Sequence, residues 1–198
     1  MIKRYAILML AVLMALGVVN SQAGSLKKER LEDYNTRMDW FAQSQYGLFI
    51  HFGLYAHLGG EWKGEQVGWY SEWIQASKSI PREEYAKIIN DFNPVGFDAD
   101  FIARTAKEAG MTYLVITSKH HEGFCLWDSA YTEFDIAGSA LKGRDLLAEL
   151  SQTCKRQGIK FGLYYSIIDW NHPSQEPSMN GERPMSRWGQ TLFLEGRK

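Results

Sequence analysis

The chain has 198 residues, of which 45% are hydrophobic, and this length and composition allow one domain with a sizeable buried core. Its formal net charge is −1 and its basic residues are spread along the sequence, which disfavours a nucleic acid or an anionic lipid surface as a partner. Aromatic residues make up 14% of the chain, which fits either large core side chains or a site that places flat rings against sugar C–H surfaces.

The N-terminus has the pattern of a secretory signal peptide. Lys3 and Arg4 precede an apolar run over residues 5–19, and small residues lead to a cleavage site near Ala23. The apolar run, at roughly 15 residues, is shorter than the ~20 that a membrane-spanning helix needs. We therefore predict a signal peptide over residues 1–23, export to a secreted or periplasmic location, and no membrane attachment after cleavage.

The two cysteines leave two possibilities open. Cys125 and Cys154 could form a disulfide in an oxidising compartment, and two buried free thiols are equally compatible with the sequence.

The predicted elements begin with an amphipathic helix over residues 27–41. A compact apolar run over residues 48–53, which contains His51, predicts the first strand. The following segment, residues 54–80, is rich in Gly, Trp and Tyr without a steady period, and it predicts a long ordered loop that carries Glu72 and Trp73. Loops of this length in compact domains are usually functional.

Two helices and a buried strand are predicted next. Pro81, with two glutamates in the first turn, starts a helix that runs to about Asp91. Asp98 is the predicted N-cap of the second helix, which Gly110 closes. The apolar face of this helix is predicted to contain Phe101, Ile102, Thr105, Ala106 and Ala109. Residues 113–117 form a β-branched and aromatic run without alternation, as expected of a strand covered on both faces.

A third helix and a third strand complete the pattern. Asp145 caps this helix, Gly158 ends it, and residues 160–166 form the strand. The buried face of the helix is predicted to contain Leu146, Leu147, Leu150 and Cys154. The order of helix, glycine, buried strand and polar loop thus occurs twice, which predicts right-handed βαβ units on a parallel sheet.

The predicted fold class is α/β with about three parallel strands. A closed eight-stranded barrel takes ~250 residues, so the chain forms either a small open sheet or the first part of a barrel. Residues 173–198 contain no fourth buried run, and residues 185–198 are polar and irregular. We therefore expect residues 24–198 to be a partial catalytic domain of a truncated chain.

Polar side chains follow each predicted strand. They are His51 after the first strand, His120, His121 and Glu122 after the second, and Tyr164, Tyr165, Ser166 and Asp169 in or after the third. Taken singly, each has a structural explanation, since a lone histidine is more often a hydrogen-bonded structural residue than a catalyst. Three strands that supply such groups at one end of a parallel sheet, where ligands bind, favour a functional site.

Several chemistries can be weighed from these residues. A metal centre is disfavoured because the first strand lacks paired ligands two residues apart, and adjacent His120 and His121 project differently along a regular strand. A Gly-x-Ser-x-Gly motif and a Gly-rich phosphate loop are both absent from the sequence. Neutral polar groups among aromatic rings fit a sugar. Hydrolysis of a sugar needs two carboxylates, and Glu72, Glu122 and Asp169 are eligible without any pair being singled out.

Four motifs resemble the N-terminal half of the α-L-fucosidases of family 29 of the glycoside hydrolases. They are residues 46–53 (YGLFIHFG), residues 72–74 (EWI), residues 117–124 (TSKHHEGF) and residues 162–166 (GLYYS) with the following Asp169-Trp170. The resemblance covers roughly Met38 to Pro177, with the motifs in the family's order.

The resemblance implies a (β/α)8-like barrel that removes terminal α-L-fucose with retention, without a metal or other cofactor. The implied substrate is a fucosylated glycan, and the implied fucose contacts are His51, Glu72, Trp73, His120, His121 and Tyr164, with Tyr164 chosen over Tyr165. The family's nucleophile is an aspartate of a Trp-x-Asp motif after the fourth strand, and its acid/base carboxylate comes later still. Neither is found in this sequence, so no residue is assigned as catalytic and the chain alone is expected to be inactive. The alternatives are a non-catalytic fucose-binding fragment and a different barrel glycosidase.

Overall fold

A three-stranded parallel sheet frames the larger part of the molecule. The computed structural model describes residues 29–141 and 143–173. The helices are α1 Leu31–Gln43, α2 Leu54–Leu58, α3 Ile74–Ser77, α4 Arg82–Ala86, α5 Ala99–Glu108 and α6 Leu146–Gln157. The strands are β1 Gly47–Ile50, β2 Glu61–Trp62, β3 Glu65–Gln66, β4 Tyr113–Lys119 and β5 Lys160–Tyr165. Short 3₁₀ turns span Ser71–Trp73, Lys87–Asn90 and Ile136–Gly138.

The sheet has the strand order β1-β4-β5, and both pairings are parallel. Gly47 pairs with Tyr113, which pairs with Lys160, so the three strands start in register and their carboxyl ends lie side by side. A β-bulge interrupts the register of β4 and β5 between Thr117 and Lys119. The structure confirms the two predicted βαβ units.

The caps of helices α5 and α6 agree with the sequence. Asp98 Oδ1 accepts a hydrogen bond of 2.8 Å from the Phe101 N–H, which satisfies one of the free donors of the first turn of α5. Asp145 Oδ1 does the same for the Ala148 N–H, also at 2.8 Å. Gly158 ends α6 in the left-handed region with φ 70°, a conformation that glycine adopts without strain. Both helices therefore begin directly after the aspartates that the sequence predicts as caps, and α6 ends at the predicted glycine.

The buried face of α6 was predicted correctly, whereas that of α5 was predicted only in part: Ala106 is buried and Ile102 packs against the core as predicted, but Phe101 does not. In α6, Leu146, Leu147, Leu150 and Cys154 are all buried. In α5 the buried residues are Ala99, Ala103 and Ala106, whereas Phe101 is 56% exposed. The apolar residues of this short helix lie on more than one face, and their pattern alone does not reveal which face packs.

Strand β4 is covered less completely than its sequence predicts. Leu114 and Ile116 are fully buried and belong to the hydrophobic core. Tyr113 and Val115, which alternate with them, are half-buried. The sequence predicts a strand covered on both faces, whereas the described part of the chain fully covers only the face of Leu114 and Ile116.

The segment predicted as a long ordered loop contains short elements. Helix α2, the β2–β3 hairpin, the turn Ser71–Trp73 and helix α3 follow one another through it. Leu54 and Ile74 are fully buried near its two ends, which anchors the segment to the core. Cys125 and Cys154 are free and buried, so of the two possibilities for the cysteines the structure has the free thiols.

Helix α1 belongs to a separate unit of the chain, residues 1–43. It runs from Leu31 to Gln43 rather than over residues 27–41, and none of its residues is buried. Arg37 binds the Glu29 carboxylate at 2.9 Å on the helix surface. No helix within the described part of the chain combines the length and apolar character that crossing a bilayer requires. The predicted signal peptide and the tail beyond residue 173 lie outside the described residues.

Candidate active site

Residues from the ends of all three strands meet at one edge of the sheet. His51 comes directly after β1, His120 comes directly after β4, and their ring centroids lie 5.3 Å apart. Tyr164, near the end of β5, stacks against His120 with a centroid distance of 5.9 Å and an interplanar angle of 29°. The neighbouring Tyr165 ring lies 5.0 Å from Lys119 Nζ instead. The geometry therefore brings Tyr164, rather than Tyr165, to the imidazoles.

The turn Ser71–Trp73 brings Glu72 and Trp73 to the same edge. Glu72 Oε1 lies 3.9 Å from His51 Nε2, and the Trp73 ring contacts the His121 ring with a centroid distance of 5.1 Å. The rings of His120 and His121 are 4.3 Å apart, which joins the two sets of contacts. All six residues that the resemblance implies thus form one continuous group. We name this group the rim cluster: His51, Glu72, Trp73, His120, His121 and Tyr164.

Trp170, for which no role is predicted from the sequence, extends the rim cluster. Its ring centroid lies 5.3 Å from both Trp73 and His121, and its side chain is almost fully buried. The Trp170 N–H donates to the His121 carbonyl at 2.7 Å, which ties the loop after β5 to the loop after β4. The Asp169-Trp170 pair in the fourth motif was the available signal. Trp170 forms the wall against which the Trp73 and His121 rings rest.

His120 is held neutral and has an unpartnered ring nitrogen. Burial first, and then the neighbouring His121 and His51, lower its pKa to about 3, so the imidazole is uncharged at neutral pH. The Nδ1 atom is buried and has no hydrogen-bond partner among the described residues. Buried polar atoms are nearly always hydrogen-bonded, so a partner from a ligand would complete this site.

The environment of His121 also disfavours charge. Burial lowers its pKa, and the Lys119 ammonium lowers it further, while Glu72 acts in the opposite direction. Its Nδ1 atom lies 2.5 Å from Ser166 Oγ. The rim cluster therefore offers the neutral imidazole of His120, a second imidazole, His121, whose charged form is disfavoured, the imidazole of His51, a phenol, an indole and one carboxylate.

Glu122 lies behind the rim cluster and supports the backbone. It is buried, and its carboxylate accepts hydrogen bonds from the Leu54 N–H at 3.0 Å and from the Tyr85 hydroxyl. Burial raises the pKa of Glu122 to about 7. Gly53 packs directly against this carboxylate, and any larger residue there would overlap it. Glu122 thus fixes the chain just after His51, and its contacts leave it no room to act on a sugar.

Asp169, another of the eligible acids, is paired with a lysine. Its Oδ2 atom lies 2.8 Å from Lys119 Nζ, and the Lys119 side chain is only 6% exposed. Its Oδ1 atom accepts a hydrogen bond from the Asn171 N–H at 3.0 Å. Both oxygens are therefore engaged, and Glu72 is the carboxylate that remains within the rim cluster. Over the described residues, no three His, Cys, Asp or Glu side chains are arranged to hold a metal ion.

Comparison with known proteins identifies the family. A family model described as Alpha-L-fucosidase matches residues 13–194, which is most of the chain. The chain belongs to the α-L-fucosidase family. The match to the fucosidases is longer than the range from Met38 to Pro177 over which the motifs were recognised.

Individual α-L-fucosidases agree with this assignment. The putative α-L-fucosidase of Caenorhabditis elegans is 35% identical over 147 residues, which cover 68% of this chain and 29% of that protein. The structure of a covalent intermediate of the Bacteroides thetaiotaomicron α-L-fucosidase, trapped with 2-fluoro-fucosyl fluoride, is 37% identical with a TM-score of 0.69 and covers 85% of this chain and 36% of that one. A mutant of the α-L-fucosidase AlfC in complex with Fuca(1,6)GlcNAc is 40% identical with a TM-score of 0.68 and covers 76% and 48%.

The three parallel strands with their helices are the N-terminal portion of a (β/α)8-like barrel, as the motifs predicted. This fucosidase-family chain spans about 30% of the length of the curated relatives that it matches. The rim cluster lies at the carboxyl ends of the strands, which is the face where barrels of this kind hold their active sites.

Proposed function

We propose that the rim cluster binds the terminal fucose of a fucosylated glycan and is the sugar-binding part of a retaining α-L-fucosidase. The observation that carries this proposal is the convergence of six side chains from three strand ends and one loop. Five of them are rings whose neighbouring centroids lie 4.3–5.9 Å apart, and the sixth, Glu72, lies 3.9 Å from His51 Nε2. Neutral imidazoles, a tyrosine hydroxyl and an indole face suit a ligand that is covered with hydroxyl groups and carries no net charge.

The electrostatics of the rim cluster support a sugar over an ionic ligand. The unpartnered Nδ1 of His120 needs a hydrogen-bond partner, and a sugar hydroxyl can serve in either direction because it both donates and accepts. Glu72, with its side chain 18% exposed, can accept from a hydroxyl in a largely desolvated position. Trp73 is braced on Trp170 and offers a flat apolar face for sugar C–H groups.

Retention requires two carboxylates about 5 Å apart, one as nucleophile and one as acid/base. The Bacteroides thetaiotaomicron relative, trapped as a covalent intermediate, supports a double displacement for this family member as well. Glu122 and Asp169 are each held by structural contacts, so of the three eligible acids only Glu72 remains, and it cannot supply two carboxylates. We therefore infer that both catalytic carboxylates come from other residues than these and that the 198-residue chain alone does not turn over.

Calorimetry and an activity assay test this proposal. L-Fucose titrated into the 198-residue chain should bind, and His120→Gln should weaken binding about tenfold, which corresponds to the loss of roughly one hydrogen bond in a desolvated site. His57, an exposed histidine of α2, provides the matched control, because His57→Gln should leave the affinity unchanged. Equal losses in both variants, or no binding by the parent chain, would count against a fucose site.

Two further measurements separate the alternatives. The chain alone should not hydrolyse an aryl α-L-fucoside. If it does, and if Glu72→Gln abolishes the activity, then Glu72 is a catalytic carboxylate and the inference that both catalytic carboxylates are other residues is wrong. D-Galactose titrated beside L-fucose should bind more weakly, and the reverse order would favour a different barrel glycosidase.

The proposed substrate is consistent with export. The N-terminal pattern ending near Ala23 is typical of a signal peptide, so the protein would meet its glycan substrates outside the cytoplasm. The N-terminal sequence of protein recovered from the culture medium or periplasm should begin close to Gly24.

A further inference from the structure

Ser166, directly after β5, makes two hydrogen bonds through its hydroxyl oxygen. Ser166 Oγ lies 2.5 Å from His121 Nδ1 and 2.8 Å from the Ile168 carbonyl oxygen. The serine is 3% exposed, and its N–H donates to the Lys119 carbonyl at 2.9 Å, so its position is fixed by the strand pairing. Its hydroxyl is thus directed by the backbone rather than by solvent.

The two contacts determine where the hydroxyl hydrogen lies. A carbonyl oxygen can only accept, so the Ile168 contact requires the single hydrogen of Ser166 Oγ. The contact with His121 then requires a hydrogen on Nδ1, because otherwise two lone pairs would meet at 2.5 Å. The tautomer of a neutral imidazole is set by the hydrogen bond that one of its nitrogens makes.

We propose that Ser166 is a positioning residue that holds His121 in the Nδ1–H tautomer, so that Nε2 accepts a hydrogen bond from a sugar hydroxyl. This role rests on the proposed fucose-binding function of the rim cluster. His121 would then differ from a free histidine, for which the Nε2–H form is available and would present a donor to the sugar instead.

The other contacts of the His121 ring do not select a tautomer. The rings of Trp73 and Trp170 lie 5.1 Å and 5.3 Å from its centroid and limit its tilt, but apolar contacts of this kind do not distinguish the two tautomers. Among the contacts of His121 within the described residues, the contact with Ser166 is the one that involves a hydrogen bond to a ring nitrogen. Losing that bond should free the tautomer while leaving the packing largely intact.

Nitrogen-15 NMR of the imidazole groups reads the tautomer directly. Protonated and unprotonated ring nitrogens of neutral histidine resonate far apart, and a His121→Gln spectrum assigns the signals of His121. At pH 7.5 the 198-residue chain should show His121 with Nδ1 protonated and Nε2 unprotonated. An Nε2–H pattern, or an averaged pattern in the parent chain, would overturn the proposal.

Three serine variants complete the test. Ser166→Ala should convert His121 to an averaged or Nε2–H pattern and weaken L-fucose binding about three- to tenfold, as expected for one hydrogen bond. Ser166→Thr keeps the hydroxyl and should retain the tautomer. Ser139→Ala is the matched control, because Ser139 is equally buried and donates to the Ile136 carbonyl at 2.7 Å far from the rim cluster in sequence. An unchanged His121 pattern in Ser166→Ala, or an equal change in Ser139→Ala, would refute the role.

The tautomer and the affinity answer separate questions. If the parent chain binds no L-fucose but His121 is in the Nδ1–H form and Ser166→Ala changes it, the proposed function fails while the positioning by Ser166 stands. If L-fucose binds and His121 is not in that form, the positioning role fails while the proposed function stands.

Discussion

Replacing Gly53 by alanine should destabilise the protein strongly for a purely steric reason. The backbone of Gly53 has φ 178°, an extended conformation that any residue adopts, so the substitution carries no backbone penalty. An added Cβ would overlap Glu122 Oε1 and lie 2.8 Å from Tyr55 Cε1. The carboxylate would have to move away from the Leu54 N–H and the Tyr85 hydroxyl.

The cost follows from those contacts. At pH 8, where the carboxyl is ionised, two hydrogen bonds to a buried charge contribute about 1.5–3 kcal/mol each. Partial loss of both, together with overpacking, should lower the free energy of unfolding by about 3–5 kcal/mol. The free energy of unfolding of a typical domain is about 5–15 kcal/mol, so this loss would be a large part of it.

Urea unfolding of the 198-residue chain, followed by tryptophan fluorescence, measures the loss. Gly68→Ala is the matched control, since an added Cβ there meets no atom within 4 Å. It should change the free energy of unfolding by less than about 0.5 kcal/mol. In a Glu122→Ala background the Gly53→Ala cost should fall by about 2 kcal/mol, because the obstructing carboxylate is gone. Additive losses, or a Gly53→Ala cost below about 1 kcal/mol, would refute the reasoning.

Two other changes follow from the buried charges. Glu122 has a folded pKa of about 7 against an ordinary value of 4.5, so the part of the stability that comes from this raised pKa is fully present below pH 4.5 and is lost as the pH rises through 7. The stability of the parent chain relative to Glu122→Gln should therefore fall by about 3 kcal/mol between pH 4.5 and pH 8, and a pH-independent difference in urea midpoints would contradict this. Asp169→Asn should destabilise the chain by about 2–4 kcal/mol because Lys119 is left buried without its carboxylate, and a second change, Lys119→Met, should recover part of the loss in thermal unfolding. A double variant no more stable than Asp169→Asn would argue against an unpaired charge as the cause.

The sequence predicted where the rim cluster would form because strand ends can be located from local patterns. His51 and His120 stand directly after apolar runs, and parallel strands place such positions at a common edge. Asp98 and Asp145 were predictable as caps because an N-cap depends on its own helix alone. Features of this kind need only the residues within one turn or one strand.

Contacts between loops could not be predicted in the same way. Trp170 reaches the rim cluster only because its loop is tied to the carbonyl of His121, a partner 49 positions earlier in the chain. The choice between Tyr164 and Tyr165 depends on strand pairing after the bulge, which neighbouring residues do not encode. Glu122 was an eligible acid in the sequence, and its burial against Gly53 and Tyr85 became evident only in three dimensions.

The bulge in β4 places a limit on how this region can vary. Thr117 pairs with Tyr164 and Lys119 pairs with Tyr165, so β4 has one more residue than β5 across this step. The extra residue is Ser118, whose hydroxyl donates a hydrogen bond to the Tyr164 carbonyl at 2.8 Å. Deleting Ser118 would remove the bulge and its hydrogen bond, and with them the local bend and twist that set the direction in which β4 leads into His120. Related chains should therefore tolerate substitutions of Ser118 far better than a change in the number of residues between Thr117 and His120.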